Sequence, residues 1–103
     1  MRFGLKEEAI QAINEVFANH PEVEKVLLYG SRAKVNYKPA SDIDLTLVGD
    51  AIDVSIMNKI SWELDDILLP VTFDLSIYHH LNDPDILDHI NRAGILFYSK
   101  AGA

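Results

Sequence analysis

The chain has 103 residues and a formal net charge of −7; it is 49% apolar, 24% charged and free of cysteine. That balance is globular, the length fits one domain over residues 1–103, and disulfides and thiolate metal sites are excluded. Net acidity speaks against stable nucleic-acid binding, which needs clustered Lys and Arg, and every apolar run is far shorter than the ~20 residues of a membrane span.

The N-terminal stretch turns acidic by Glu7 and has no apolar core, so a signal peptide is not expected and the cytoplasm is the expected location. Leu5, Ala9, Ile10, Ile13, Val16 and Phe17 recur at helical spacing and predict a first helix. Asn19-His20-Pro21 stops it, because proline cannot continue a helix. Val23 to Tyr29 reads as a buried strand. Gly30-Ser31 follows at once, and residues 31–41, polar and containing Pro39, read as a short turn of helix or a loop. Residues 42–48 alternate polar and apolar, as a half-buried strand does, and Gly49-Asp50 closes them.

Ile56, Met57, Ile60, Leu64, Ile67 and Leu68 mark a second amphipathic helix, ended by Pro70. Residues 71–77 alternate again. Asp83-Pro84 reads as an N-cap followed by proline at the first helical position. This third helix runs to about Arg92, with Gly94 suited to its C-terminal cap. Ile95 to Tyr98 is a final short strand. The predicted class is α+β: a single mixed sheet of about four strands flanked by about three helices.

The charge is unevenly spread. Lys25 to Ser41 holds four basic residues (Lys25, Arg32, Lys34 and Lys38) and no acidic one, while all sixteen acidic residues lie elsewhere. A local basic loop on an acidic protein suits a small polyanion, although a solvated loop accounts for the charges equally well.

Strand alternation then makes a chemical statement. With Ile43, Leu45 and Leu47 facing the core, Asp42, Asp44 and Thr46 face the other way; likewise Thr72, Asp74 and Ser76 lie opposite Val71, Phe73, Leu75 and Ile77. A helix joins the two strands, which favours a parallel crossover with Asp44 and Asp74 nearly level. Three carboxylates that close stay ionised together only around a positive charge, and hard oxygen donors suit Mg²⁺. The short connection after the first strand predicts an antiparallel pair, which sets Gly30-Ser31 beside Asp42 and Asp44. Free backbone N–H groups in such a turn make a nest for phosphate. Carboxylates for metal beside a phosphate nest form the arrangement needed for two-metal phosphoryl or nucleotidyl transfer.

Gly30-Ser31-Arg32-Ala33, then Ser41-Asp42-Ile43-Asp44-Leu45, then a lone Asp74 in a later strand, resembles the nucleotidyltransferase superfamily that includes DNA polymerase β. The local text is most similar to its minimal nucleotidyltransferase (MNT) family, and the resemblance covers about residues 5–98. It implies that Gly30, Ser31 and the neighbouring Arg32 serve the triphosphate of ATP or another nucleoside triphosphate. It implies that Asp42, Asp44 and Asp74 hold two Mg²⁺ ions, with Asp74 also helping to deprotonate the attacking hydroxyl.

MNT proteins are often antitoxins paired with a HEPN-domain toxin, and some adenylylate a tyrosine on it. The resemblance therefore implies a protein adenylyltransferase acting on a HEPN partner in a hetero-oligomer. Two other readings stand beside it: a non-catalytic module that binds nucleotide and neutralises the partner by association, and a small-molecule transferase of the aminoglycoside-modifying kind. The chain departs from the family at Lys34-Val35, where members often carry Arg-Gly, and at Ala40, where they often carry Asp. Because Val35 resists a positive φ, the loop is expected to be shaped differently.

Other eye-catching residues have plainer readings. Trp62, Met57 and Phe73 read as core packing, His79-His80 as exposed loop, His89 as structural, and Tyr37 as a loop surface residue. His20 is expected beside a helix C-terminus.

Overall fold

The computed structural model describes residues 2–34 and 37–100. Three helices, α1 (Glu7–Ala18), α2 (Val54–Asp65) and α3 (Pro84–Ala93), accompany four strands, β1 (Lys25–Tyr29), β2 (Ile43–Val48), β3 (Phe73–Ile77) and β4 (Ile95–Ser99). The strands form one sheet in the order β3-β2-β1-β4. β1 pairs antiparallel with β2 and with β4, and β2 pairs parallel with β3 across the α2 crossover. The predicted mixed sheet and α+β class are the observed ones.

The core is built on one face of this sheet. Val26 and Leu28 of β1 and Ile43, Leu45 and Leu47 of β2 are fully buried against Ile13 and Phe17 of α1 and Ile60 and Leu64 of α2. Phe97 of β4 closes the core edge-on against Phe17, with ring centroids 6.5 Å apart. Burying each of these large apolar side chains contributes ~1.5–3 kcal/mol, so the alternation in the strands and the 3.6-residue stripe of the helices carry most of the stability. α3 lies against β1, and its His89 meets the Tyr29 ring on the face opposite this core.

Several boundaries differ from the periodicity, each for a local reason. Leu5 is buried but precedes α1: Phe3 and Gly4 take positive φ and turn the chain back, pairing Arg2 with Leu5. Glu7 and Glu8 then supply negative charge to the positive end of α1. α2 starts at an N-cap, Asp53, whose carboxylate accepts from the Ile56 amide at 2.9 Å. It ends at Asp65, well before Pro70, and Leu68 adopts φ 60 with its side chain 87% exposed. Trp62 corrects a sequence expectation: it is 68% exposed on α2, outside the core. Helical spacing does not by itself say which flank of a stripe meets a neighbour.

At α3 the reading holds in detail. Asp83 caps the Asp85 amide, Pro84 takes the first helical position, and the Gly94 amide donates to the Ile90 carbonyl at 2.8 Å. Gly94 has an extended backbone, and glycine is needed there because a side chain would run into that carbonyl. His20 follows the end of α1 and bonds Glu63 of α2 at 2.6 Å, tying the two core helices together. Among the described residues, no helix is long and apolar enough to cross a membrane.

Candidate active site

The polar face of the sheet is assembled by register. Asp44 of β2 lies directly beside Asp74 of β3, and Tyr29 of β1 lies directly beside Asp44. Asp42 precedes β2, and its carboxylate accepts from the Thr72 hydroxyl. Asp74 is exposed on the edge strand, whereas Asp44 sits half-buried between β1 and β3.

Gly30, the first residue beyond β1, stands over Asp44 with φ 77, and a side chain there would strike the Asp44 carboxylate. Glycine is therefore required twice, by backbone conformation and by close approach. A Gly30→Ala protein is expected to lose ~1–2 kcal/mol from the positive φ alone. It should melt at least ~4 °C lower by calorimetry, and an unchanged melting temperature would contradict the contact.

Burial raises the Asp44 carboxyl above its ordinary range; the charges of Asp74 and Asp42 and a hydrogen bond with Asp74 push the same way. Burial likewise raises the Tyr29 phenol, with the Asp74 and Asp44 charges adding to it and the Ser76 hydroxyl opposing. Among the described residues, none of the salt bridges reaches these aspartates. The result is a focus of negative charge that no described cationic side chain pairs.

That donor set fits a hard divalent cation. Asp44 and Asp74 bring two carboxylates side by side, the number Mg²⁺ usually draws from protein. The third, Asp42, is engaged by Thr72, and among the described residues no three acidic or histidine side chains are gathered around one point.

The residues expected to bind phosphate divide. Ser31 opens a single turn of helix, in which the Lys34 amide donates to the Gly30 and Ser31 carbonyls at 3.3 and 3.2 Å. Lys34 and Lys38 are exposed. The Gly30 amide is not free, contrary to a fully open nest: it donates to His89 Nε2 at 2.9 Å.

Arg32 is turned away from this face. It is 2% exposed, and its guanidinium donates to the carbonyls of Phe3 (2.7 Å), Pro39 (3.2 Å) and Ser41 (2.8 Å). It also lies over the Tyr37 ring, 5.0 Å from the centroid, and so covers one face of that ring. With its donors spent on carbonyls, Arg32 ties Pro39 and Ser41 to the N-terminal turn at Phe3. The expectation about Val35 lies outside the described residues.

Two further features lie away from the aspartates. His79 and His80 occupy a short 3₁₀ turn with their rings 4.7 Å apart. An apolar cavity of about 770 Å³ is bounded by Leu5, Ala9, Ile67, Leu69 and Val71 and has no aspartate in its wall.

Tyr29 and His89 are the members of the site that sequence reasoning missed. Tyr29 shares the alternation of β1, a usable signal; His89 lies 59 positions from Gly30 and carries none.

A family model described as Polymerase beta, Nucleotidyltransferase matches residues 11–102. A search of curated proteins found no significant match. Among solved structures, a toxin–antitoxin complex with AMP-PNP aligns with TM-score 0.69 and 19% identity, over 94% of this chain and 76% of the other. The complex of a tri-AMPylated Shewanella oneidensis HEPN toxin with its MNT antitoxin aligns with TM-score 0.65 and 16% identity, over 93% and 74%. A nucleotidyltransferase-like protein from Sulfolobus solfataricus aligns with TM-score 0.53 and 22% identity, over 92% and 80%.

Proposed function

This chain belongs to the polymerase beta nucleotidyltransferase family, and on that premise we propose that it transfers AMP from ATP to a tyrosine hydroxyl of a HEPN-domain partner, acting as its antitoxin. The observation that carries the reading is the side-by-side placement of Asp44 and Asp74, with Asp44 beneath the Gly30 turn. Support for adenylyl transfer and for the partner comes from two proteins of similar fold: one is a toxin–antitoxin complex with AMP-PNP, the other an AMPylated HEPN toxin bound to an MNT antitoxin.

Asp42, Asp44 and Asp74 would hold two Mg²⁺ ions, which when bound neutralise the triphosphate and favour the ionised acceptor hydroxyl. The chain's own residues do the rest. The Ser31 amide and hydroxyl hold phosphate oxygens at the mouth of the turn. Asp74, on the exposed edge strand, accepts the proton of the attacking hydroxyl. The hydroxyl oxygen bonds to the α-phosphorus, the bond from that phosphorus to the bridging oxygen breaks, and pyrophosphate leaves.

The described fold is a sheet with its helices, and the polar face around Asp74 is open to solvent. A wall that holds the acceptor in line is therefore assigned to the partner, whose positioning can contribute several kcal/mol to lowering the barrier. Incubating the chain with ATP, Mg²⁺ and a HEPN-domain partner should add one AMP per modified tyrosine, read by intact-mass and peptide mass spectrometry. An unmodified partner that is still neutralised by Asp44→Asn protein would replace catalysis with simple association. Robust transfer to an aminoglycoside instead would replace the acceptor.

A further inference from the structure

One side chain from α3 completes the turn at Gly30. The Gly30 amide donates to His89 Nε2 at 2.9 Å. A backbone amide only donates, so Nε2 presents its lone pair and the ring carries its proton on Nδ1. The Tyr29 ring braces the imidazole edge-on, with centroids 6.2 Å apart at 69°. Tyr29 in turn reaches across the sheet, its hydroxyl 3.5 Å from Ser76 Oγ, two residues beyond Asp74 on β3. The imidazole carried by α3 thus meets the end of β1, and β3 meets the hydroxyl of the Tyr29 that braces it.

The 30–34 turn has two ends and two anchors. Arg32 clamps the loop side through the carbonyls of Phe3, Pro39 and Ser41. At the other end Gly30, the residue type with the greatest backbone freedom, is held by His89. Without an acceptor there, the Gly30 amide loses its partner, and the turn is left to the Lys34 amide, which donates to the Gly30 and Ser31 carbonyls.

We infer that His89 is a positioning residue for nucleotide transfer: by accepting the Gly30 amide it holds the Gly30–Ser31 turn in the orientation that receives the triphosphate. This rests on the nucleotide-transfer reading above. His89 acts through the Gly30 peptide and not on the reacting atoms. Since the turn holds phosphates in the ground state and the transition state alike, losing it weakens ATP binding more than the rate at saturation.

Three replacements in the full chain test this. Glutamine can place its side-chain oxygen near the position of Nε2; asparagine is too short, and leucine fills the space with no acceptor. The dissociation constant for ATP with Mg²⁺, measured by calorimetry, should stay within ~2-fold of wild type for His89→Gln. It should rise ~5- to 10-fold for His89→Asn and His89→Leu, the loss of about one hydrogen bond. The rate at saturating ATP, with partner present, should change less.

A packing role gives the opposite order, with leucine tolerated and glutamine not, and overturns the inference. So do equal affinities in all four proteins. A second measurement covers a variant that folds poorly. In nucleotide-free wild type, imidazole ¹⁵N shifts should report a proton on Nδ1 and none on Nε2; a protonated Nε2 overturns the assignment. Wild-type protein that binds no nucleotide overturns the functional reading instead, and the ¹⁵N shifts still decide whether His89 holds the turn.

Discussion

Asp44→Asn protein will fold, melt higher than wild type in metal-free buffer at neutral pH, and lose nucleotidyl transfer. The two effects share one cause. Burial and the charges of Asp74 and Asp42 raise the Asp44 carboxyl, so the folded state resists ionisation there more than the unfolded chain does. Between its unfolded and folded values the folded protein binds more protons, and stability falls as pH rises through that window. Once Asp44 is ionised in the folded state the cost is present, and asparagine removes it with almost no change in volume. The gain in melting temperature should therefore vanish in acid, below the ordinary carboxylate range.

For activity, the same charge is what a divalent cation needs. Residues that merely support a metal ligand typically cost about 10- to 100-fold when removed, so loss of the ligand itself should cost at least ~100-fold in transfer. Label transfer from α-labelled ATP and calorimetry, run on the same preparation, check both halves. Wild-type transfer by Asp44→Asn removes the metal role. A lower melting temperature in metal-free buffer at neutral pH removes the electrostatic account.

Arg32→Lys is expected to be among the most destabilising charge-preserving changes in the chain. The guanidinium is buried and spans three carbonyls, from Phe3, Pro39 and Ser41, with the Tyr37 ring against it. A lysine ammonium is a point charge and cannot reproduce that fork. Hydrogen bonds to a charged group contribute ~1.5–3 kcal/mol each, so losing two costs about 3 kcal/mol or more. For a domain of this size that lowers the melting temperature by roughly 12–24 °C. Limited proteolysis should open the 31–41 loop first. If Arg32 instead met phosphate, Arg32→Lys would melt near wild type and weaken ATP binding selectively, so calorimetry with and without nucleotide separates the two roles.

Features that depend on near neighbours in the chain were legible before any fold was known. Alternation in residues 42–48 and 71–77 placed Asp44 and Asp74 on one face, and the α2 crossover made their strands parallel; the observed register sets the two side by side. Asp83, Pro84 and Gly94 bounded α3 because caps act over one turn. The Gly-Ser and Asp-Ile-Asp text carried the family, since backbone conformation and strand period constrain such spacings locally.

Tertiary structure decided whatever depends on a partner far away. Arg32 looked like a basic loop residue until the carbonyl of Phe3, 29 positions earlier, took its guanidinium. Trp62 had the right period for a core, yet the neighbouring elements leave that flank of α2 in solvent. His89 read as one more helix residue, and only the packing of α3 on β1 brings it to Gly30. Equal aspartates became unequal the same way: Asp44 is enclosed between two strands, Asp74 stands on an edge, and Asp42 accepts from Thr72 through one carboxylate oxygen. Periodicity reports which way a side chain points from its own backbone; what it meets there is set by strands and helices distant in sequence.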